Sequence, residues 1–516
     1  MYTFSSKLKT FSFILMVLGI LGIGYGFLTA PKDIKEVEQI LAAQSHGHGG
    51  GHEAGGHEAA GHEAAGPQAH QAAPATETHD AHEAKTDTVA TVAAHAEANV
   101  AEKNLDTMHA DTISVVPATE IAAAEAPSVH EKKAEVHDAH AEHEAHLKHV
   151  LTQLQNKPWA ALYVACIFFM LIAMGVLAFY AIQQVAQAGW SPVLFRVMQG
   201  ITAYLPVGSV IFFVVLILCG MHMNHLFPWM VEGVTDPKHA NYDHIIANKS
   251  GYLNFGFWIA RAAIFLIGWN LYRHFSRKNC LAQDESNDDS FYKKNFKMSA
   301  GFLVFFIVTE SIMSWDWIMS VDPHWFSTLF GWYVFASFFV SGITTICMVT
   351  LYLKGKGYLE HVNTSHIHDL AKFMFGISVF WTYLWFSQFM LIWYANIPEE
   401  VTYFVTRIEL YNLPFFGAVV MNFVFPILIL INTDFKRITW VLVMAGTVIL
   451  LGHYIDFFNM IMPGTVGDQW FIGAAEIGSV LFFLGLFIFV VFTALTKAPL
   501  LPKRNPYIEE SKHFHY

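Results

Sequence analysis

The chain carries ionisable and aromatic side chains between two strongly apolar segments. Glu310, Asp316, Asp322 and His324 all lie within residues 310–332, together with four tryptophans. An ionisable side chain at bilayer depth costs roughly 2.5–3.5 kcal/mol on insertion scales, so such groups are rare unless they have a partner or a chemical role. Carboxylates and imidazoles accept and release protons, and near a membrane surface they would also accept hydrogen bonds from a quinol. The stretch therefore predicts a site of proton chemistry at one face of a membrane.

Similar side chains recur inside or at the ends of the other apolar segments. The candidate residues for a proton pathway or a quinol site are His222, His225, Arg261, Glu310, Asp316, Asp322, His324, Asp369, Lys372, His453, Asp456 and Glu476. His453 and Asp456 are three residues apart, so they are expected to share a helix face. The same spacing predicts a shared face for His222 and His225.

Three interpretations of these groups stay open. The first is ion pairs that only join helices, for example Arg261 with Glu310 or with Glu476. The second is a proton pathway of carboxylates and imidazoles relayed between helices. The third is a pocket near the outer surface, in which Glu310, Asp316, His324 and nearby tryptophans contact a quinol ring. Tryptophan at a membrane end is more often an interfacial anchor than a pocket wall, so the aromatic residues alone do not decide between them.

The sequence predicts no resident cofactor or metal. Its four cysteines are scattered, with no C-x-x-C and no C-x-x-C-H, so neither an iron–sulfur cluster nor a c-type haem is expected in this chain. A b-type or haem–copper core needs histidines that face one another in two spans, and only His453 and His222 lie in or near spans. His222, His225 and His324 would supply the ligands of a metal site, but we do not predict one.

Composition identifies the class of protein. Of 516 residues, 54% are hydrophobic and only 14% are charged, and the mean hydropathy is +0.38. This combination excludes an ordinary soluble domain and predicts an all-α polytopic membrane protein. The formal net charge is −12, but the acidic residues concentrate in one segment and the basic residues in others. The sequence has no cluster of basic residues that would predict nucleic-acid binding. About ten segments are long enough to cross the bilayer: 11–28, 158–185, 201–222, 252–274, 296–319, 328–353, 369–394, 413–432, 438–461 and 471–496.

The N-terminal 150 residues contain two contrasting regions. Residues 1–30, in which Lys7 and Lys9 precede an apolar run, fit either a signal peptide or a transmembrane helix. The cleavage site would be poor, so we favour a retained helix. Residues 31–150 are rich in Ala, His and Glu and hold more than half of the 28 histidines. Such a composition predicts a disordered linker with opportunistic Zn²⁺ or Cu²⁺ affinity. Within it, residues 131–148 are rich in helix formers and predict a helix that approaches the membrane.

The distribution of lysine and arginine predicts the orientation. Arg407 is the only basic residue in the loops 320–327, 395–412 and 462–470, whereas the alternate loops carry many. We therefore expect a membrane domain over residues 151–500 and a cytoplasmic tail over 501–516. Both termini would be cytoplasmic, with the His-rich linker and the Asp322–His324 turn on the opposite side.

Three segments on different spans resemble one family. They are W-D-W-I-M-S-V-D-P-H-W-F-S-T (315–328), W-F-S-Q-F-M-L-I-W-Y-A-N-I-P-E-E (385–400) and G-H-Y-I-D (452–456). Their order and sequence are similar to a membrane subunit of bacterial alternative complex III, a quinol:cytochrome c or quinol:oxidase oxidoreductase. The resemblance covers roughly residues 150–500. The long His-rich insert departs from the family pattern.

The resemblance implies a polysulfide-reductase-like (NrfD-like) fold of two four-helix bundles flanked by a first and a last helix. The chain resembles the second of two such subunits, the ActF type, in a bacterial inner membrane. Implied partners are the sister NrfD-like subunit, a pentahaem cytochrome c, an iron–sulfur subunit resembling molybdopterin enzymes, a monohaem cytochrome c, small membrane anchors and a terminal oxidase. Haem and iron–sulfur clusters would belong to those partners. In this family the sister subunit has the better supported quinol site, and the ActF type is thought to carry a proton half-channel.

The expected function is therefore that of a membrane subunit without a redox centre in a quinol oxidoreductase. It would contribute a proton pathway and, as a second role, a quinol-binding surface. Two alternatives come from other classes of protein: a proton-coupled secondary transporter that uses the same acids, and a structural anchor for soluble redox partners. Pro206, Pro414 and Pro426 lie within or near spans, as in many transporters with broken helices.

Overall fold

The computed structural model describes residues 2–47 and 129–515, with side-chain detail for 2–43 and 142–515. In these residues all regular structure is helical and no strand is present. Ten of the described helices are long and apolar enough to cross a membrane. The predicted all-α polytopic class is therefore confirmed.

The spans are numbered in chain order. They are span 1 (Ser6–Thr29), span 2 (Glu142–Val185), span 3 (Pro192–Gly220), span 4 (Phe255–Gln283), span 5 (Ser290–Val321), span 6 (Phe330–Gly355), span 7 (Thr364–Ala395), span 8 (Asn412–Leu430), span 9 (Thr439–Val466) and span 10 (Ala474–Leu495). Shorter helices outside the spans cover Ile34–Gly47, His244–Lys249, Pro398–Glu409 and Ile508–Lys512.

Spans 2 and 6 cross at the centre of the membrane domain. A Cβ atom on Gly342 of span 6 would lie 2.8 Å from the Val176 amide nitrogen of span 2, and Gly175 packs equally closely against Phe338. Small residues allow helix backbones to approach in this way in membranes. Spans 3–5 complete bundle 1 with span 2, and spans 7–9 complete bundle 2 with span 6.

Spans 1 and 10 flank the bundles and pack on each other through glycines. A Cβ on Gly22 would lie 2.7 Å from the Ala474 carbonyl oxygen, and one on Gly478 would lie 2.7 Å from the Ile23 amide nitrogen. Either substitution would force the helices apart. The apolar run that fitted two interpretations in the sequence thus forms a packed helix of the membrane domain.

The structure corrects two boundaries. The helical segment of span 3 begins at Pro192, before the predicted residue 201, and comprises a short helix Phe195–Ile201 followed by Tyr204–Gly220. The short helix buries Arg196, whose guanidinium is paired with Asp284 at 2.5 Å. Without that partner, Arg196 would be costly in a helix of this kind. The segment 395–412, expected as a loop, contains the amphipathic helix Pro398–Glu409, whose inner face buries Tyr403, Phe404 and Arg407.

The ends of the predicted linker are helical. Span 2 belongs to a longer helix, Val129–Val185, which confirms the helix predicted over 131–148. Disorder from residue 31 onward is wrong for Ile34–Gly47, because Val37 and its apolar neighbours pack on Leu147 and Val150. The remainder of the linker prediction, residues 48–128, lies outside the described residues.

Candidate functional site

The core of bundle 2 encloses a carboxylate from span 9. Asp456 is 1% exposed. Its Oδ2 accepts hydrogen bonds from Trp381 Nε1 at 2.9 Å and Ser337 Oγ at 2.8 Å, and its Oδ1 accepts one from the Tyr333 hydroxyl. The three donors come from spans 6 and 7, more than 70 residues away in the chain. The carboxylate is therefore held from three sides by neutral groups.

His453 extends this arrangement into a chain of hydrogen bonds. Its Nδ1 lies 2.9 Å from Ser337 Oγ, which in turn donates to Asp456. This order assigns the proton to Nδ1 and leaves Nε2 as an acceptor. The expected shared face of His453 and Asp456 is confirmed, with Nδ1 3.8 Å from Oδ2. A hydroxyl between an imidazole and a carboxylate lets a proton pass by exchange of donor and acceptor roles.

No lysine or arginine among the described residues forms an ion pair with Asp456. Ionisable residues within membrane spans commonly pair with one another. Apart from the Tyr333 hydroxyl, the titratable group beside Asp456 is His453, at 3.8 Å, which is itself fully buried. The Asp456 charge is thus compensated by hydrogen-bond donors and not by a fixed cation.

The network reaches toward the Pro398–Glu409 helix at one end of the bundle. A void of about 10 Å³, lined by Tyr333, Gln388 and Tyr403, separates the network from this helix. That volume is about the minimum that holds one water molecule. Gln388 Oε1 is buried beside it without a hydrogen-bond partner among the described residues. On the far side, Arg407 covers the Tyr403 ring at 3.3 Å.

Polar groups also continue toward the other end of the bundle. Span 6 places three buried hydroxyls at four-residue intervals, Ser337, Ser341 and Thr345. Span 8 adds Asn422, which is fully buried in a π-helical turn and lies against Gly452, the residue before His453. Neither amide atom of Asn422 has a partner among the described residues. π-helical turns within α-helices are frequent at functional sites.

Asp316 in bundle 1 has a different environment. Arg261 donates from Nε to Oδ2 at 2.6 Å and from Nη2 to Oδ1 at 2.9 Å, and both side chains are buried. The Tyr252 ring covers the guanidinium at 4.0 Å. Of the candidate pairings, those of Arg261 with Glu310 or Glu476 are wrong. The reason is that span 4 turns Arg261 toward the end of span 5, where Asp316 lies one turn and a half beyond Glu310.

The turn at residues 322–324 is fastened to the loop between spans 3 and 4. His324 Nε2 lies 2.6 Å from Asp243 Oδ2, and Lys249 Nζ donates to the Pro323 carbonyl at 2.6 Å. Asp243 also caps the helix His244–Lys249 through the amides of Ile245 and Ile246. Burial acts to raise the Asp243 pKa, but the Ile246 amide and His324 outweigh it, and the pKa is lowered. His324 therefore lies in a clamp apart from Asp316.

The tryptophans of this stretch divide between core and surface. Trp317 is fully buried, and Trp325 stacks on Tyr403 with ring centroids 4.0 Å apart. Trp332 is exposed, as expected of an interfacial anchor. Neither Asp316 nor His324 lines any of the five best-formed cavities of the described residues.

Two further acids of the candidate set keep one free oxygen each. Glu310 accepts from Ser311 Oγ at 3.1 Å, and Glu476 accepts from the Gly473 amide at 2.9 Å. The second carboxyl oxygen of each is buried without a partner among the described residues. Glu476 also acts electrostatically on the buried ammonium of Lys157.

The remaining candidates lie near the ends of spans. Asp369 pairs with Lys372 at 2.9 Å, and Asp322 lies in the turn that precedes Pro323. His222 and His225 do not share a helix face, because span 3 ends at Gly220 and His222 has φ +57°. Both are exposed. They form no metal-binding group with His324 or any other described residue.

Sequence reasoning missed a second polar cluster, in bundle 1. The Tyr180 hydroxyl accepts hydrogen bonds from Gln184, Gln199 and Asn295 at 3.1–3.2 Å. Amide side chains within apolar spans were the sequence feature that could have predicted this cluster. The candidate set was limited to ionisable residues and therefore omitted them. The same applies to Asn422, the single amide of span 8 beyond its first residue.

No protein-family model and no curated protein sequence matches this chain. The fold and the buried network define a class: an all-α protein with ten candidate membrane spans and a carboxylate–hydroxyl–imidazole chain in its second bundle.

Proposed function

We propose that the chain is a membrane subunit of a quinol oxidoreductase of the alternative complex III type, and that bundle 2 carries a proton pathway centred on Asp456. The observation that carries the proposal is the Asp456 carboxylate, which is buried among neutral donors and linked through Ser337 to His453. A group in this setting exchanges a proton without breaking an ion pair. The resemblance of three segments supports the family.

In this proposal, electrons pass through partner subunits while protons move through this chain. Redox centres would be held by the pentahaem and monohaem cytochromes c and by the iron–sulfur subunit, next to the sister NrfD-like subunit and small anchors. A terminal oxidase would accept the electrons. The membrane would be a bacterial inner membrane, with both termini on the cytoplasmic side. Menaquinol would bind the sister subunit or a surface of this chain.

The test uses Asp456→Asn in the assembled complex. The amide has the size of the carboxylate, and the Tyr333 hydroxyl is able to reverse and accept a hydrogen bond from it. We expect quinol-dependent turnover to fall about 10²-fold, in the range for loss of a proton-transfer group, while subunit composition stays unchanged. The matched control is Asp434→Asn, since Asp434 is exposed in the loop between spans 8 and 9 and is not a candidate pathway residue. Normal turnover of the Asp456 variant would return this residue to a structural role.

The break in span 8 gives one observation in favour of a secondary transporter. Its α-helix is interrupted by the π-helical turn Val420–Val424, which places Asn422 in the membrane. Transporters often bind substrate at interrupted helices.

Purification in mild detergent distinguishes the three candidate functions. Haem absorbance with several stoichiometric partners supports the complex, and a colourless single chain with proton-driven uptake supports transport. Partners without any effect of Asp456→Asn would indicate a structural anchor.

A further inference from the structure

Residues 502–507, which follow span 10, lie across one end of bundle 1. Pro502 and Asn505 are buried, whereas Lys503 and Arg504 between them are exposed. The two buried side chains line a cavity of about 10 Å³ whose other walls come from spans 2, 4 and 5. We call residues 502–507 the lid, because one side of this segment is exposed and the other side faces the cavity.

The bundle side of the cavity leads to the polar cluster centred on Tyr180 (the Tyr180 cluster). Gln184 and Asn295 line the cavity, and both donate hydrogen bonds to the Tyr180 hydroxyl, at 3.1 and 3.2 Å. Asn279 and Gln283 of span 4 line it as well. Polar side chains inside a membrane protein are costly and usually face the bundle interior or a water-filled cavity. The lid therefore separates the Tyr180 cluster from solvent at this end of the bundle.

One carboxylate holds both the lid and a buried charge of bundle 1. Asp284 Oδ2 pairs with the Arg196 guanidinium at 2.5 Å, and its Oδ1 accepts a hydrogen bond from the Lys503 amide at 2.8 Å. Arg196 is only 3% exposed, so it requires this counter-charge. Asp284 also lines the cavity. The position of the lid is thus set by an acid that bundle 1 already needs.

The remaining contacts of the lid are of a kind that opens easily. Arg504 Nη1 donates to the carbonyls of Ser286 and Glu285 at 2.7 and 3.4 Å, both at exposed positions. The Tyr507 ring lies against the Tyr292 ring, with centroids 5.9 Å apart. Exposed hydrogen bonds contribute little net stability, because water replaces them when they break. Segments held by few buried apolar contacts open locally before the whole protein unfolds.

The chain on both sides of the lid is held more firmly. Leu495 at the end of span 10 packs on Gly200 of span 3. After the lid, Ser511 is fully buried; its hydroxyl donates to the Trp190 carbonyl at 2.7 Å, and its own carbonyl accepts from His366 at 3.0 Å. An opening movement is therefore confined to the lid, with a hinge on either side of it.

We propose that the lid opens and closes to control the access of water to the Tyr180 cluster, with Asp284 as its latch. Closed, as in this structure, the lid leaves room for about one water molecule. Open, it would expose the amides that line the cavity to solvent. The inference does not rest on the proposed function, which places its proton pathway in bundle 2.

Cys280 serves as the reporter of the lid, because it is buried and lines the cavity. The full chain, with any partners that co-purify, is treated with methyl methanethiosulfonate, a small neutral thiol reagent. Modification of each cysteine is then followed by peptide mass spectrometry. Arg504→Ala removes the side-chain hydrogen bonds of the lid, so Cys280 should react about tenfold faster than in the unchanged protein. Cys166 and Cys347, which are 0% exposed within spans 2 and 6, should keep their rates.

The matched control is Lys512→Ala. It removes a positive charge from the same part of the chain, but its ammonium pairs with Glu509 at 2.7 Å and not with bundle 1. Its Cys280 rate should equal that of the unchanged protein. Equal Cys280 rates in Arg504→Ala and Lys512→Ala would overturn the inference. A Cys280 rate in the unchanged protein as fast as that of an exposed thiol would also overturn it, because the lid would then not close.

A second variant covers the case in which Arg504→Ala loosens the whole protein and all four cysteines react faster. Tyr507→Leu removes the ring contact with Tyr292 but keeps an apolar side chain, and it leaves the bonds of Asp284 in place. It should raise the Cys280 rate severalfold and leave the Cys166 and Cys347 rates unchanged. An unchanged Cys280 rate in Tyr507→Leu would overturn the inference.

Discussion

Two buried aspartates, one in each bundle, show how differently the same side chain is used in this protein. Asp316 of bundle 1 accepts hydrogen bonds from Nε and Nη2 of the Arg261 guanidinium at 2.6 and 2.9 Å. Asp456 of bundle 2 receives only neutral donors and is linked by Ser337 to His453. The first arrangement fixes charge in place, because moving a proton would leave a buried guanidinium uncompensated. The second leaves the proton free to move along the chain.

The largest difference between the two aspartates is expected when the Arg261 side chain is removed. Arg261→Ala leaves Asp316 as an uncompensated buried charge, and loss of one partner of a buried pair typically costs about 3–5 kcal/mol. We expect a lower unfolding temperature and a poor yield in detergent, measured by thermal unfolding of the purified chain. Arg261→Met combined with Asp316→Leu should recover much of this loss.

The control for this variant is Lys372→Ala. Its pair with Asp369 is partly exposed, and such pairs contribute about 0–1 kcal/mol. If Arg261→Ala and Lys372→Ala had equal effects on stability, the structural role given to the Arg261–Asp316 pair would be wrong.

A smaller effect is expected when the relay in bundle 2 is interrupted. Ser337→Ala removes the hydroxyl between His453 and Asp456 but keeps the Trp381 and Tyr333 donors. Turnover of the assembled complex should fall about tenfold. The free energy of unfolding should fall by only about 1 kcal/mol, because one hydrogen bond is lost. The control is Thr382→Ala on span 7, whose hydroxyl bonds the Ser378 carbonyl. Equal turnover in the two variants would place the proton path elsewhere.

The smallest effect concerns the clamp between Asp243 and His324, which lies outside both bundles. The Asp243 pKa is lowered in the folded protein, so its stabilising contribution is present above its unfolded pKa. That contribution is lost as the pH falls through the lower folded value. Because the pair is partly exposed, it is worth less than about 1 kcal/mol.

Asp243→Asn should therefore increase hydrogen exchange in the loop at pH 7 and reduce its dependence on pH below about 4. The equivalent change at exposed Asp236 of the same loop serves as the control. An unchanged acid dependence would show that another group holds the loop.

Hydropathy was sufficient to predict the helices, and three-residue spacing was sufficient to place His453 and Asp456 on one face. The partners of these residues could not be predicted in the same way. Ser337, Tyr333 and Trp381 reach Asp456 from other spans, and their approach depends on how each helix is rotated. The same dependence made the expected partners of Arg261 wrong.

Other features depended on local backbone geometry that composition does not encode. His222 has a left-handed backbone just after span 3 ends, so its spacing from His225 had no helical meaning. The amphipathic helix Pro398–Glu409 is short and polar on one side, so hydropathy predicts a loop at these residues. Its inward Arg407 bonds the carbonyls of Asn459 and Tyr403, which satisfies the charge through backbone dipoles.

The glycine contact between spans 1 and 10 has a consequence for biogenesis. Span 1 emerges first from the ribosome, yet the surface that fits Gly22 is synthesised more than 400 residues later. Until span 10 inserts, lipid must cover the glycine face of span 1. The contact between the first and last spans therefore forms only at the end of synthesis, and its formation completes the membrane domain.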